Sequence, residues 1–341
     1  MTRFSTRTAA LAWGTLALLA APAFGQSNAG RNGAKFLSIG VGAREAALGS
    51  AVTALQGDAV SAFWNPAGTA LPAGQQFSAT LDHSQWIAEL RHTSVAFGYN
   101  LGRNGTVTVG IQTFGASGIA ANRQNGYTDP DLTSLVTDDN TSETYDYLDL
   151  SASATYARTF GDRLSLGATA KIVNESIDGE GASAVAFDFG SLYNVGPMNW
   201  QLAARLSNLG TPIQFYNQAN PLPLTFSIGS SFYPVNTEQA RVMLSADALK
   251  IQDGNQRVNG GVEVALYDLL FLRAGYKFGF GNGATNDSTS LRPAVRYSTE
   301  NFSVGGGLQY RVAGYDLALD YAYTNMELVN DVHRITLRLR R

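Results

Sequence analysis

Three histidines, His83, His92 and His333, are the leading candidates for acid–base chemistry in a chain without cysteine. Asp82, His83 and Ser84 bring the three residue types of an acyl hydrolase into one run. Such an enzyme needs serine, histidine and acid to converge in space. Neighbours on a strand point to opposite faces, so 82–84 cannot form a triad alone and read as a polar rim. Gly40-Val41-Gly42 fails as a dinucleotide fingerprint, because Glu45 stands where glycine or alanine is required. Asp129, Asp131, Asp138, Asp139 and Glu143 offer acidic oxygens to calcium, but without EF-hand spacing they read as a solvated loop. The expectation is a protein that is not an enzyme, with no catalytic residue, metal or cofactor.

The remaining charges follow a rule. Along 147–156 the even positions are Leu148, Leu150, Ala152, Ala154 and Tyr156, and the odd ones are mostly polar. Along 163–172 Leu164, Leu166, Ala168, Ala170 and Ile172 alternate with Arg163, Ser165, Gly167, Thr169 and Lys171. Strict alternation marks strands with one apolar and one polar face. The polar face carries Lys171, Asp188, Arg205, Asp247, Glu263, Arg273 and Lys277, with Asp149, Arg311, Asp316, Asp320, Arg334 and Arg338. Lysine or arginine facing lipid at mid-bilayer would cost about 2–4 kcal/mol, so in a membrane barrel these charges point into the lumen. There they line a polar path or hold a salt-bridged plug, and both readings stand.

The elements that position them are about fourteen strands between residues 75 and 340. Most reach the ~9–11 residues that a tilted strand needs to cross a bilayer. Tight turns at 102–105, 161–162, 196–197, 234–239, 267–269 and 313–314 alternate with longer links at 83–89, 116–144, 177–182, 209–222, 251–255, 281–301 and 325–331. Short turns and long loops in alternation predict an all-β, up-and-down transmembrane barrel. The segment 290–299, with Pro293, reads as loop. Phe97, Tyr99, Phe160, Tyr193, Trp200, Phe232, Tyr233, Tyr267, Phe271, Tyr310 and Tyr315 gather near the short turns and predict one interfacial girdle.

Composition agrees with an ordered barrel. Only 15% of the 341 residues are charged, 36 are glycine, and the net charge is −3, which argues against a nucleic-acid partner. Residues 1–25 read as a secretory signal: Arg3 and Arg7 precede a short apolar run and small residues at cleavage spacing. Residues 26–74 do not alternate and read as a hatch or plug, and 75–341 as the barrel. Small residues at 42–51, Gly42 and Gly49 among them, would allow close approach to a wall, and Arg44 and Glu45 could pair with lumen charges.

The run Ala34 to Gly49, followed by Phe63-Trp64-Asn65-Pro66-Ala67-Gly68, resembles the N-terminal signature of the PorV/PorQ outer-membrane proteins, within the wider FadL-like group. Tyr321-Ala322-Tyr323 and His333-Arg334-Ile335-Thr336-Leu337 resemble that family's last two strands. The resemblance implies a fourteen-stranded barrel with a luminal N-terminal hatch that contains Trp64, Asn65 and Pro66. It implies docking of protein partners or secreted cargo of a type IX-like secretion system, in the bacterial outer membrane and in contact with its lipid. FadL-like relatives imply the alternative, transport of a hydrophobic ligand. That alternative predicts an apolar pocket beside the hatch and an opening where a strand kinks.

Overall fold

The computed structural model describes residues 30–121, 143–254, 256–280, 300–326 and 330–341. The proposed signal segment, the acidic loop from 122 to 142 and the segment 290–299 lie outside the described residues. Fourteen antiparallel strands form a closed barrel, with no exposed sheet edge. They are β1 (Phe77–Gln85), β2 (Arg91–Asn100), β3 (Thr106–Ala120), β4 (Thr144–Phe160), β5 (Leu164–Ile177), β6 (Glu180–Asn194) and β7 (Gln201–Gly210). After a small hairpin of β8 (Ile213–Phe215) and β9 (Gln218–Asn220) follow β10 (Thr225–Asn236), β11 (Ala240–Ile251), β12 (Gln256–Leu266) and β13 (Leu270–Phe280). The wall ends with β14 (Glu300–Val312), β15 (Tyr315–Met326) and β16 (Val332–Arg340). Each barrel strand pairs with its sequence neighbour, β7 pairs with β10 across the hairpin, and β16 returns to β1.

Period two explains the wall. On β1, Ser78, Thr80, Asp82 and Ser84 are buried, and Leu81 between them is exposed. On β3 and β5 the outward set includes Val107, Val109, Ile111, Leu166 and Ile172. Apolar side chains exposed all around a closed barrel form the band that meets lipid. No described helix is long and apolar enough to cross a membrane.

Four expectations need correction. The link at 177–182 is a two-residue turn, Asp178-Gly179, with φ of 53° and 83°. An Asp-Gly pair is the preferred residue choice for such a hairpin, and extending the flanking strands to meet it leaves no loop. The link at 209–222 contains the β8–β9 hairpin. Tyr233 and Phe271 leave the girdle and turn inward: Phe271 is buried, and Tyr233 packs on the buried Leu48, Val52 and Trp64 cluster. Phe271 shares parity with Arg273, whose guanidinium lies 5.1 Å from its ring. Lastly, Asp82 and Ser84 are fully buried and form no rim, while His83 points outward to Thr93.

Candidate functional site

Residues 34–71 lie inside the barrel and touch all fourteen strands of its wall. This plug has little regular structure: a short helix α1 (Ala43–Ala47) and three single 3-10 turns. Polar caps set its turns. Asp58 accepts from Val60 N at 3.3 Å and opens one, and Asn65 accepts from Ala67 N at 3.1 Å and opens the next. Pro66 follows Asn65 at the first helical position, where a missing N–H costs nothing. Gly42 and Gly49 adopt φ of 95° and 62°, the left-handed region that side chains disfavour. Gly49 also lies flat against β13, where a Cβ on Gly49 or on Gly275 would overlap the opposing backbone.

Charge holds the plug on one side. Arg44 donates through Nε and Nη2 to both oxygens of Glu263, each at 2.8 Å. Glu263 also accepts from Arg273 at 2.6 Å, and Arg273 donates to Asp320 at 2.6 Å. Asp320 accepts from Arg338 at 2.5 Å and 2.8 Å, and Arg338 reaches Asp58 at 3.3 Å. The arch leaves the plug at Arg44, crosses β12, β13, β15 and β16, and re-enters it at Asp58. Every carboxylate in it meets an arginine, which is the condition under which burying charge is tolerable. Against the cost of burial, Arg338 and Arg340 hold the Asp58 carboxyl below the usual carboxylate range.

Glu45 stands outside this arrangement. Its Oε2 is buried without a hydrogen-bond partner, so the expected pairing holds for Arg44 and not for Glu45. Burial pushes its pKa up to about 7, although Arg338 and Arg44 pull the other way.

The other lumen charges anchor backbone. Asp247 accepts from Val52 N, Thr53 N and Thr53 Oγ1 at 2.7–2.9 Å. Arg205 donates to the Trp64 carbonyl at 2.6 Å and stacks 5.5 Å from its ring. The Trp64 indole donates to Val41 O at 2.8 Å, and Asn65 donates to Thr53 O at 2.7 Å. Lys171 contacts Asp188 and Asn208, each at 2.7 Å. Lys277 pairs with Glu300. All seven wall charges singled out from parity therefore face the lumen, and among the described residues Arg205, Asp247 and Glu263 are the ones of these that hydrogen-bond to the plug. Sequence reasoning missed Asp58 as an anchor. Its place before Ala59-Val60 is an N-cap pattern that could have flagged it.

The plug divides the lumen into two unlike halves. At the short-turn end is a cavity of about 860 Å³ lined by arginines, amides and carboxylates. At the long-link end Phe36 packs with Phe114, Val173, Ile213 and Leu222, flanked by Leu37, Ile39, Trp86, Leu90, Tyr147 and Phe215. A smaller cavity of about 100 Å³ there runs from Leu37 and Ile39 over Trp64 to Asn208 on β7. Asn208 has a φ of 64°, and its N–H turns out of the ladder to Asp188 at 2.7 Å. Strand β7 thus bulges, and its pairing with β6 shifts between Phe187 and Phe189.

Asp82, Ser84 and His92 share the lumen face, with Ser84 directly opposite His92. Among the described residues Ser84 Oγ and His92 Nδ1 have no hydrogen-bond partner, so these two do not form a nucleophile–base pair. Among the described residues no three His, Asp or Glu side chains converge on a metal position.

No protein-family model matches the chain, and no curated protein matches it. Solved structures do. The Ralstonia pickettii toluene transporter TbuX superposes with a TM-score of 0.54 at 14% identity, over 88% of this chain and 97% of that one. The Pseudomonas putida toluene transporter TodX gives 0.53 at 14% identity, over the same shares. A Pseudomonas aeruginosa FadL homologue gives 0.50 at 9% identity, over 89% and 98%. At such identities the likeness establishes the fold: a closed fourteen-stranded transmembrane barrel of the architecture found in these transporters.

Proposed function

We propose that the protein resides in the bacterial outer membrane and passes small apolar molecules inward from its long-link mouth. The observation that carries this reading is the apolar cluster around Phe36 at the long-link mouth, which adjoins through Leu37 and Ile39 the Trp64 cavity beside the β7 bulge, where apolar side chains meet Lys171, Arg205, Lys277 and Glu300. Burying apolar ligand surface there is favourable at about 25 cal/mol per Å². The named function of the toluene transporters with the same architecture supports the same reading. Export would follow from residues 1–25.

The test is uptake of radiolabelled toluene by cells carrying the protein. Wild type should exceed an empty-vector strain, and Phe36→Asp should abolish the excess while the barrel still inserts. Equal uptake by all three strains would sink the reading.

A second reading, docking of secretion-system proteins or cargo, rests on the motif residues Ala34 to Gly49 and Phe63 to Gly68. Native mass spectrometry of gently extracted protein separates the two. A stoichiometric protein partner supports docking, and a bound apolar molecule with no protein supports passage.

A further inference from the structure

The short-turn cavity has a chemistry that passage of apolar molecules does not require. Seven arginines line it, against three carboxylates. Five arginines are satisfied by acids: Arg44 and Arg273 by Glu263, Arg338 by Asp320, Arg241 by Asp268 and Arg311 by Asp316. Arg340 and Arg341 are not. Arg340 donates to the neutral Gln309 amide at 2.7 Å. Arg341 donates to Tyr315 Oη at 3.3 Å and lies over that ring at 5.1 Å. Neither has a described carboxylate within ion-pair distance.

Around these two charges are side-chain amides. Seven Asn and Gln residues line the cavity, and Asn199, Gln201 and Asn236 make no side-chain hydrogen bond among the described residues. Tyr233 and Phe271 add aromatic faces on the same wall. A guanidinium matches a carboxylate in a two-bond fork. Amide side chains offer both donor and acceptor, as an extended peptide backbone does. The volume of about 860 Å³ lies within the range of ligand-binding clefts, roughly 300–1,000 Å³. Short turns of outer-membrane barrels face the periplasm, so the cavity opens there.

We propose that this cavity is a docking cup for an acidic, extended peptide segment of a periplasmic protein, with Arg340 and Arg341 taking its carboxylates. The site is separate from the apolar mouth, and the proposal holds or fails independently of apolar passage.

The test is fluorescence anisotropy of a labelled octaglutamate peptide against the full protein in detergent, with an octaserine peptide as control. Octaglutamate should bind, and more weakly as salt rises. The double variant Arg340→Gln/Arg341→Gln should lose at least tenfold in affinity. Asn236→Asp, which adds a negative charge to the cup without removing a buried group, should weaken binding in the same direction. Arg103→Gln, in a short turn outside the cup, should leave binding unchanged. Heat-modifiable gel migration verifies that each variant keeps its barrel. The proposal is overturned if octaserine binds as well, if the double variant and Asn236→Asp retain wild-type affinity, or if Arg103→Gln loses as much. Full displacement of octaglutamate by millimolar inorganic phosphate would also overturn it, since the cup would then be a small-anion site.

Discussion

The two faces of the plug rest on the same kind of wall yet are built from opposite chemistry. On the short-turn side an arch of alternating charge from Arg44 to Asp58 adds ionic, directional contacts to the apolar packing of Leu48, Val52 and Leu55. On the long-link side they are mainly apolar, centred on Phe36 against Phe114, Val173 and Ile213, with Lys35 on Asp253 and the Ala34 N–H on Glu175 beside them. The ionic arch fixes the plug, and the apolar side is where it can accommodate something else. Buried ion pairs demand one geometry, because a displaced partner leaves an uncompensated charge. Apolar contacts exchange with other apolar surface at little cost, so a hydrophobic molecule can replace part of the Phe36 packing without a polar penalty.

Glu263→Ala should have the largest effect. It strands Arg44 and Arg273 together, a loss of about 3–5 kcal/mol by the usual cost of breaking a buried pair. Planar-bilayer recordings should show larger and more frequent conductance steps than wild type, and silence equal to wild type would refute the arch as the fastening. Phe36→Ala should come next, at about 3 kcal/mol for truncating a buried aromatic. It should lower the melting temperature of the plug without raising conductance, since the ionic side stays closed.

A smaller effect follows from Glu45. Its carboxyl is raised from 4.5 to about 7, so the folded state holds the proton more tightly than the unfolded one. The stability linked to it is complete below pH 4.5 and is lost as pH rises towards 7. Melting curves from pH 4.5 to 8 should show this decline, and Glu45→Gln should flatten it; an unchanged slope would remove Glu45 as its source. Asp58 is held low and acts in the opposite sense, losing its contribution only as the pH falls below the usual carboxylate range. Arg311→Gln should do least. Its pair with Asp316 sits in solvent, so no measurable change in melting is expected.

Much of the wall was legible in the sequence. Alternation of residue type along β4 and β5 was enough to separate lipid face from lumen face, and parity alone assigns Lys171, Asp188 and Arg273 inward. Tyr233 and Phe271 leave the girdle because parity, not residue type, sets the face: Phe232 and Tyr233 are neighbours and cannot share one. The partners were not legible. Arg44 meets Glu263 across 219 residues of chain, and Asp58 meets Arg338 across 280, and nothing local encodes either meeting. The plug has almost no regular structure of its own. Its path is set by caps, two glycines and the carboxylates of the wall, so it becomes readable only once the barrel is drawn. The burial of Asp82, Ser84 and His92 is hidden for the same reason, because the plug segments that cover them come from well upstream in the chain.

Asp58 has one more consequence. Strands β1 and β16 meet at the seam where the first strand finds the last. On one side of that seam Ser78 and Thr80 donate to Asp58, and on the other Arg338 faces it. A single side chain from the plug therefore sits astride the closure of the cylinder. A chain emerging in order makes this carboxylate before either strand it will bridge, and the last of them some 280 residues later. Sealing the wall and seating its contents are thus a single topological event, and a barrel closed without its plug would leave Arg338 short of one of its two acids at the junction.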